Sequence, residues 1–177
     1  MFKLSNLIQH IETSFSKAER GESKIMDCID NSTQKTRYFF NNLLNKEDAR
    51  YLEVRTLGCF FASSAIFGNK GTVVSIGLNS DCENNAFFYK TKDFYQVNPS
   101  QLPKFNIYFS NGTYNQLAHY WKCLDDIFIF IMDDLKSIAQ DSIKKLKLNI
   151  LYEREENGIY LAILEKSIWF NPLYIPI

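Results

Sequence analysis

The sequence predicts an α/β protein with a doubly wound, mostly parallel sheet that ends in an antiparallel hairpin. Four apolar runs lead there: YLEV (51–54), TVVSIGL (72–78), FNIYF (105–109) and IFIFIM (127–132). They are near-continuous, without polar alternation, as strands buried on both faces must be. The segments between most of them are long enough for a helix, and alternating strands and helices imply right-handed crossovers. The last two runs, KLNILYE (147–153) and GIYLAILE (158–165), are separated only by residues 154–157, too few for a helical crossover. They read as a hairpin turning at Asn157-Gly158 or just before it.

The elements follow in order. Leu4, Leu7, Ile8, Ile11 and Phe15 fall on one face of a helix over 4–20, punctuated by Gly21 and Glu22. A second helix starts at Ser32 or Thr33, either of which can cap it, and carries Tyr38, Phe39, Leu43 and Leu44. Helices are expected over 59–67, 83–92, 114–123 and 135–146. The closing SIWFNPLYIPI has two prolines and several large apolar groups, and docks on the sheet or on a partner. A chain of 177 residues is most simply one domain. Within it, 1–31 forms an N-terminal helical extension, 32–166 the core and 167–177 an apolar tail.

Apolar content of 46% and aromatic content of 15% are those of a packed globular protein. Twenty basic and twenty acidic residues cancel, so no global field favours nucleic acid or an anionic membrane. The basic cluster Lys144, Lys145 and Lys147 closes an expected helix, where cations complement the C-terminal dipole. Cys28, Cys59, Cys82 and Cys123 form no CxxC pair, and with only His10 and His119 there is no zinc-type constellation. No metal is expected. The first residues lack the apolar run of a signal peptide, and no segment has the length of a membrane span. A reduced, cytoplasmic location is the expectation, with the oligomeric state open.

The most informative stretch is 51–69, YLEVRTLGCFFASSAIFGN. A strand ending in Glu53-Val54, a tight turn and a helix of small and apolar residues is how a nucleotide-type cofactor loop begins. Such loops carry glycine because a backbone approaches a cofactor closely only where side chains are absent. The turn here is Arg55-Thr56-Leu57-Gly58-Cys59, with one glycine where two are expected.

On these residues the chain resembles the class I S-adenosylmethionine-dependent methyltransferases. More narrowly, it resembles small bacterial members whose first strand reads YLEIG and whose next helix ends ALYGN. Tyr51–Val54 and Ala65–Asn69 match both ends of that segment. KTRYFFNNL (35–43) is similar to the family's opening helix, KFNIYFSNG (104–112) to its K-F-D-I-Y-F-x-D-G strand, and CLDDIFIFIMDD (123–134) to its fifth strand and terminal acidic pair. LYERE and NGIYLAILEK are similar to its closing hairpin, so the resemblance spans roughly 32–166. The departures fall in the chemistry. Arg55 stands at the family's first loop glycine, Gly58 is one position early, and Gly77 replaces the acid that holds the ribose. Asn111-Gly112-Thr113-Tyr114 stands where D-G-D/N-H is usual.

The resemblance implies S-adenosylmethionine as cofactor and assigns the candidate residues. Glu53 organises the cofactor loop or the methionine end, or pins the loop through Arg55 or an amide. The Arg55 guanidinium fills space meant for the methionine moiety, or swings to solvent or onto Glu53. Gly58 relieves the turn. Asp81, four residues after Gly77, replaces the ribose acid or caps a helix. Asn111, with Gly112 after it, keeps hydrogen bonding but loses the charge that a base needs. Asp133 or Asp134 acts as general base at the strand end, or Asp134 caps the next helix while Asp133 faces solvent. His119 inherits no motif role and reads as polar helix surface. Two functions compete: a methyltransferase acting on a small oxygen or nitrogen acceptor, and an inactive methyltransferase-fold module that binds a protein partner.

Overall fold

The computed structural model describes residues 2–25, 34–54, 60–77, 87–91, 93–110, 114–133 and 136–168. Seven strands form one sheet: β1 (Arg50–Val54), β2 (Thr72–Gly77), β3 (Phe87–Lys90), β4 (Phe105–Ser110), β5 (Leu124–Asp133), β6 (Asn149–Glu156) and β7 (Ile159–Glu165). Their order is β3-β2-β1-β4-β5-β7-β6. The pairs among β1 to β5 are parallel, whereas β7 runs antiparallel to both β5 and β6. The doubly wound sheet with a terminal hairpin is as expected. Asn157 and Gly158 turn the hairpin at φ 53° and 74°, the left-handed pair of a type I′ turn. Strand β6 runs on to Glu156, so that turn is tighter than the 154–157 spacing suggested.

One expectation fails. Residues 83–92 read as a helix, but Phe87–Lys90 are β3, paired in parallel with Val74–Gly77. An edge strand of four residues carries too little periodicity to be told from a helix segment. The chain continues through two single-turn 3₁₀ helices, Phe94–Gln96 and Pro99–Gln101. The side chains of Asp93 and Asn98 cap them by accepting from the Tyr95 and Ser100 amides.

Helices cover both faces. On one lie α1 (Leu4–Glu19), α2 (Gln34–Leu43) and α3 (Phe60–Ile66); on the other lie α4 (Tyr114–His119) and α5 (Lys136–Lys145). Strand alternation divides the core accordingly. Tyr51, Ile107, Phe109, Ile129 and Ile131 face α1–α3, while Leu52, Val54, Tyr108, Phe128 and Phe130 face α4 and α5. The first face is knit by aromatic rings. Phe40 stacks on Phe61 at 4.7 Å and meets Phe109 edge-on at 5.4 Å, and Phe15 stacks on Phe39 at 4.0 Å.

Polar contacts fix how α2 meets α3. Asn41, 1% exposed within the buried stripe of α2, donates to the Ser64 and Phe67 carbonyls at 2.9 and 2.8 Å. Its own side-chain oxygen accepts from the Ser23 hydroxyl and the Lys24 amide. Asn69 returns the contact by donating to the Asn41 and Ala65 carbonyls. Lys24 closes the helix end, its ammonium donating to the Gly68 carbonyl, Asn45 Oδ1 and Asn69 Oδ1, each at 2.9 Å. Gly68 takes φ +68°, and a Cβ there would lie 3.1 Å from Lys24 Cδ.

At the far end of β7, the Lys166 ammonium donates to the Trp121 and Leu124 carbonyls and lies 4.9 Å from the Trp121 ring centroid. Burial, with Lys104 nearby, pushes its pKa down from 10.5 to about 8. The folded protein therefore releases this proton before the unfolded chain does. Its cost to stability is full below pH 8 and fades as pH rises toward 10.5.

Two predictions follow from this packing. Asn41→Ala should lower the unfolding free energy by about 2–3 kcal/mol in urea titrations, since it strands buried carbonyls and an amide. Between pH 7.5 and pH 9, wild-type stability should rise relative to Lys166→Met, read as the difference between parallel urea titrations. A difference independent of pH would place the Lys166 proton elsewhere.

Candidate functional site

Strands β2, β1, β4 and β5 lie side by side and end on the same edge, at Gly77, Val54, Ser110 and Asp133. From β1 the chain passes outward to β2 and β3, then returns to β4 on the opposite side of β1. The order therefore reverses between β1 and β4, and open α/β sheets bind ligands in the crevice at such a reversal. Register fixes the neighbours: Val54 pairs with Ile76 and Ser110, while Glu53 lies between Ser75 and Phe109.

Glu53 is fully buried, on the α2–α3 face that Tyr51 shares by strand alternation. A carboxylate withdrawn from water at a strand end is costly, and proteins keep one where its charge or its acceptors serve a purpose. Gly77, the last residue of β2, is buried and pairs with Lys90, its carbonyl accepting from the Thr91 amide. Among the described residues, no carboxylate stands at that strand end. Asp133 closes β5 opposite Ile159 and is half-buried. With β4 between them, β1 and β5 lie about 10 Å apart.

Glu53, Gly77 and Asp133 are thus brought to one edge. Arg55, Gly58, Asp81, Asn111, Gly112 and Asp134 lie outside the described residues. Two polar links beside this edge had no motif to announce them. Arg37 donates from Nε to the Ser64 hydroxyl at 2.7 Å, joining the first turn of α2 to α3. On the other face, the buried Ser110 hydroxyl donates to Gln116 Oε1 at 2.8 Å and ties the end of β4 to α4. The available signal was a polar residue on a buried stripe, as at Asn41, Ser64 and Ser110.

His119 is a correction of another kind. It is half-buried, its Nε2 donates to the Val97 carbonyl at 2.8 Å, and its ring meets Tyr95 and Tyr120 edge-on. It anchors the 94–101 segment to α4, because the ring supplies both an apolar body and a donor.

No protein-family model matches the chain, and no curated protein matches its sequence. Solved structures do match its architecture. The ribosomal protein L11 methylase from Lactobacillus delbrueckii subsp. bulgaricus superposes with a TM-score of 0.52 at 16% identity, over 78% of this chain and 81% of that one. The Thermoplasma acidophilum protein 1320 superposes with a TM-score of 0.55 at 8% identity, over 90% and 98%. Precorrin-6y C5,15-methyltransferase from Geobacter metallireducens gives 0.50 at 12%, over 75% and 88%. The fold is the class I methyltransferase fold. Identities this low carry the architecture alone. In this fold the candidate site is the edge that bears Glu53, and the Arg37–Ser64 bond joins α2 to α3 on the sheet face that Glu53 shares. A double-mutant cycle of Arg37→Ala and Ser64→Ala should return a coupling of about 1 kcal/mol in unfolding free energy. Strict additivity would show that the bond does not couple α2 to α3.

Proposed function

We propose that the protein binds S-adenosylmethionine at the edge formed by β2, β1, β4 and β5, and methylates a small oxygen or nitrogen acceptor. The observation that carries this reading is Glu53, a fully buried carboxylate at the end of β1 beside the reversal of strand order. The residues present fit the cofactor in part. Glu53 is a buried carboxylate of the type that amide or ammonium groups bind, and the resemblance adds Gly58, Asn111 and Gly112 as cofactor-binding positions. At the end of β2 the ribose would find the Gly77 backbone and no carboxylate, unless Asp81 supplies one. Bound S-adenosylmethionine supplies an electrophilic methyl group on a sulfonium sulfur. The chain's share is to position the acceptor in line with it and to exclude water. In this reading Asp133, about two strands from Glu53 and with Asp134 as its neighbour in sequence, takes the acceptor's proton.

A second reading is favoured by one observation, the glycine at the end of β2. Together with Arg55, which follows β1 in sequence, it supports a module that retains the fold and binds a protein partner, the chemistry having been lost.

Turnover decides between them. With S-adenosylmethionine and a panel of small phenols, alcohols and amines, the active reading expects S-adenosylhomocysteine to accumulate. Asp133→Asn should cut that rate by about 100-fold with an unchanged melting temperature. Gly77→Asp should tighten cofactor binding. A Gly77→Asp chain that binds no better, in a protein that turns over none of the panel, supports the inactive module.

A further inference from the structure

A cavity of about 330 Å³ opens at the opposite edge of the sheet from Glu53, where the strands begin. Its apolar wall is made by Leu7 of α1, Leu43 at the end of α2, Ala49, and Ile107, Ile127 and Ile129 of the central strands. Its rim is polar and tightly braced. Arg50 grips Asp125 with two nitrogens, at 2.7 and 3.3 Å, and donates to the Lys104 carbonyl. Asn106 accepts from the Arg50 amide and donates to the Asp48 carbonyl, both at 2.9 Å. Lys46 pairs with Asp48 at 2.7 Å, and His10 donates from Nε2 to the Leu43 carbonyl at 2.8 Å.

The charges of this rim do not balance. The cations Lys46 and Arg50 are committed to Asp48 and Asp125. Asp126, also at the rim and exposed, has no side-chain hydrogen bond or ion pair among the described residues. Its backbone carbonyl accepts from the Lys166 amide, but the Lys166 ammonium is turned to the Trp121 and Leu124 carbonyls, among residues of the α4–α5 face. The cavity therefore offers an apolar interior, a preorganised mouth and, in Asp126, a carboxylate that feels the Lys166 charge but accepts no side-chain hydrogen bond among the described residues.

We propose that this cavity is a binding site for a small aromatic or branched aliphatic amine, with its apolar body against Ile107, Ile127 and Ile129 and its ammonium on Asp126. A site of this size holds one small ring system, and a rigid, already hydrogen-bonded rim lowers the ordering cost of binding. The site lies at the opposite ends of the strands from Glu53 and does not depend on the cofactor reading.

The test is a titration of the isoleucine-methyl-labelled full chain, followed by NMR, with tryptamine and with indole-3-propionate. These probes share an apolar body and differ in charge. Tryptamine should shift the Ile107, Ile127 and Ile129 methyl signals saturably. It should bind about fivefold tighter than the acid, the worth of one rim-exposed ion pair. Asp126→Asn, a change at an exposed position, should abolish that preference, and Leu7→Trp, which fills the cavity, should abolish the shifts. Absence of saturable shifts at millimolar probe, equal binding of amine and acid, or a preference that survives in Asp126→Asn would each overturn the proposal.

Discussion

A parallel sheet whose central strands are apolar on both faces must be covered on both before it is stable in water. That requirement organises this molecule. Strands β1, β4 and β5 carry Tyr51, Leu52, Ile107, Tyr108, Ile129 and Phe130 in immediate succession, so neither face can be left wet. Helical crossovers provide the cover, and right-handed crossovers bring the carboxyl ends of the parallel strands to one edge. Glu53 and Asp133 are polar residues placed at that edge, so the site is a consequence of how the sheet is covered.

The helices on the α1–α3 face are placed by polar contacts within an apolar layer. Asn41 offers its amide to carbonyls at the end of α3 and takes donors from the segment after α1. Apolar contact alone would allow α2 to slide along its neighbours; a buried amide with directed partners does not. The turn of α2 that precedes Asn41 carries Arg37, which holds Ser64. Arg37 and Asn41 in this way hold the same helix pair, on the sheet face that Glu53 shares.

Much of this was legible in the sequence. The apolar runs mark the buried strands because burial on both faces leaves no polar alternation, and Asn157-Gly158 marks the hairpin because both residues accept positive φ. Glu53 stood out as a charge at the end of an apolar run. What the sequence concealed depends on contacts between distant segments. Phe87–Lys90 is a strand because β2 offers it a partner, and nothing within four residues says so. His119 is committed by the Val97 carbonyl, which a loop delivers from 22 residues away. The cavity under α1 draws on two helices and three strands, and none of its residues forms a motif.

The central claim is that the edge bearing Glu53 takes the cofactor. It is tested most directly by calorimetric titration of the full chain with S-adenosylhomocysteine, alongside Glu53→Leu. The account predicts saturable heat with micromolar affinity for the wild type and a large loss in the variant. Absence of heat at millimolar ligand, or equal affinity in both chains, would contradict it.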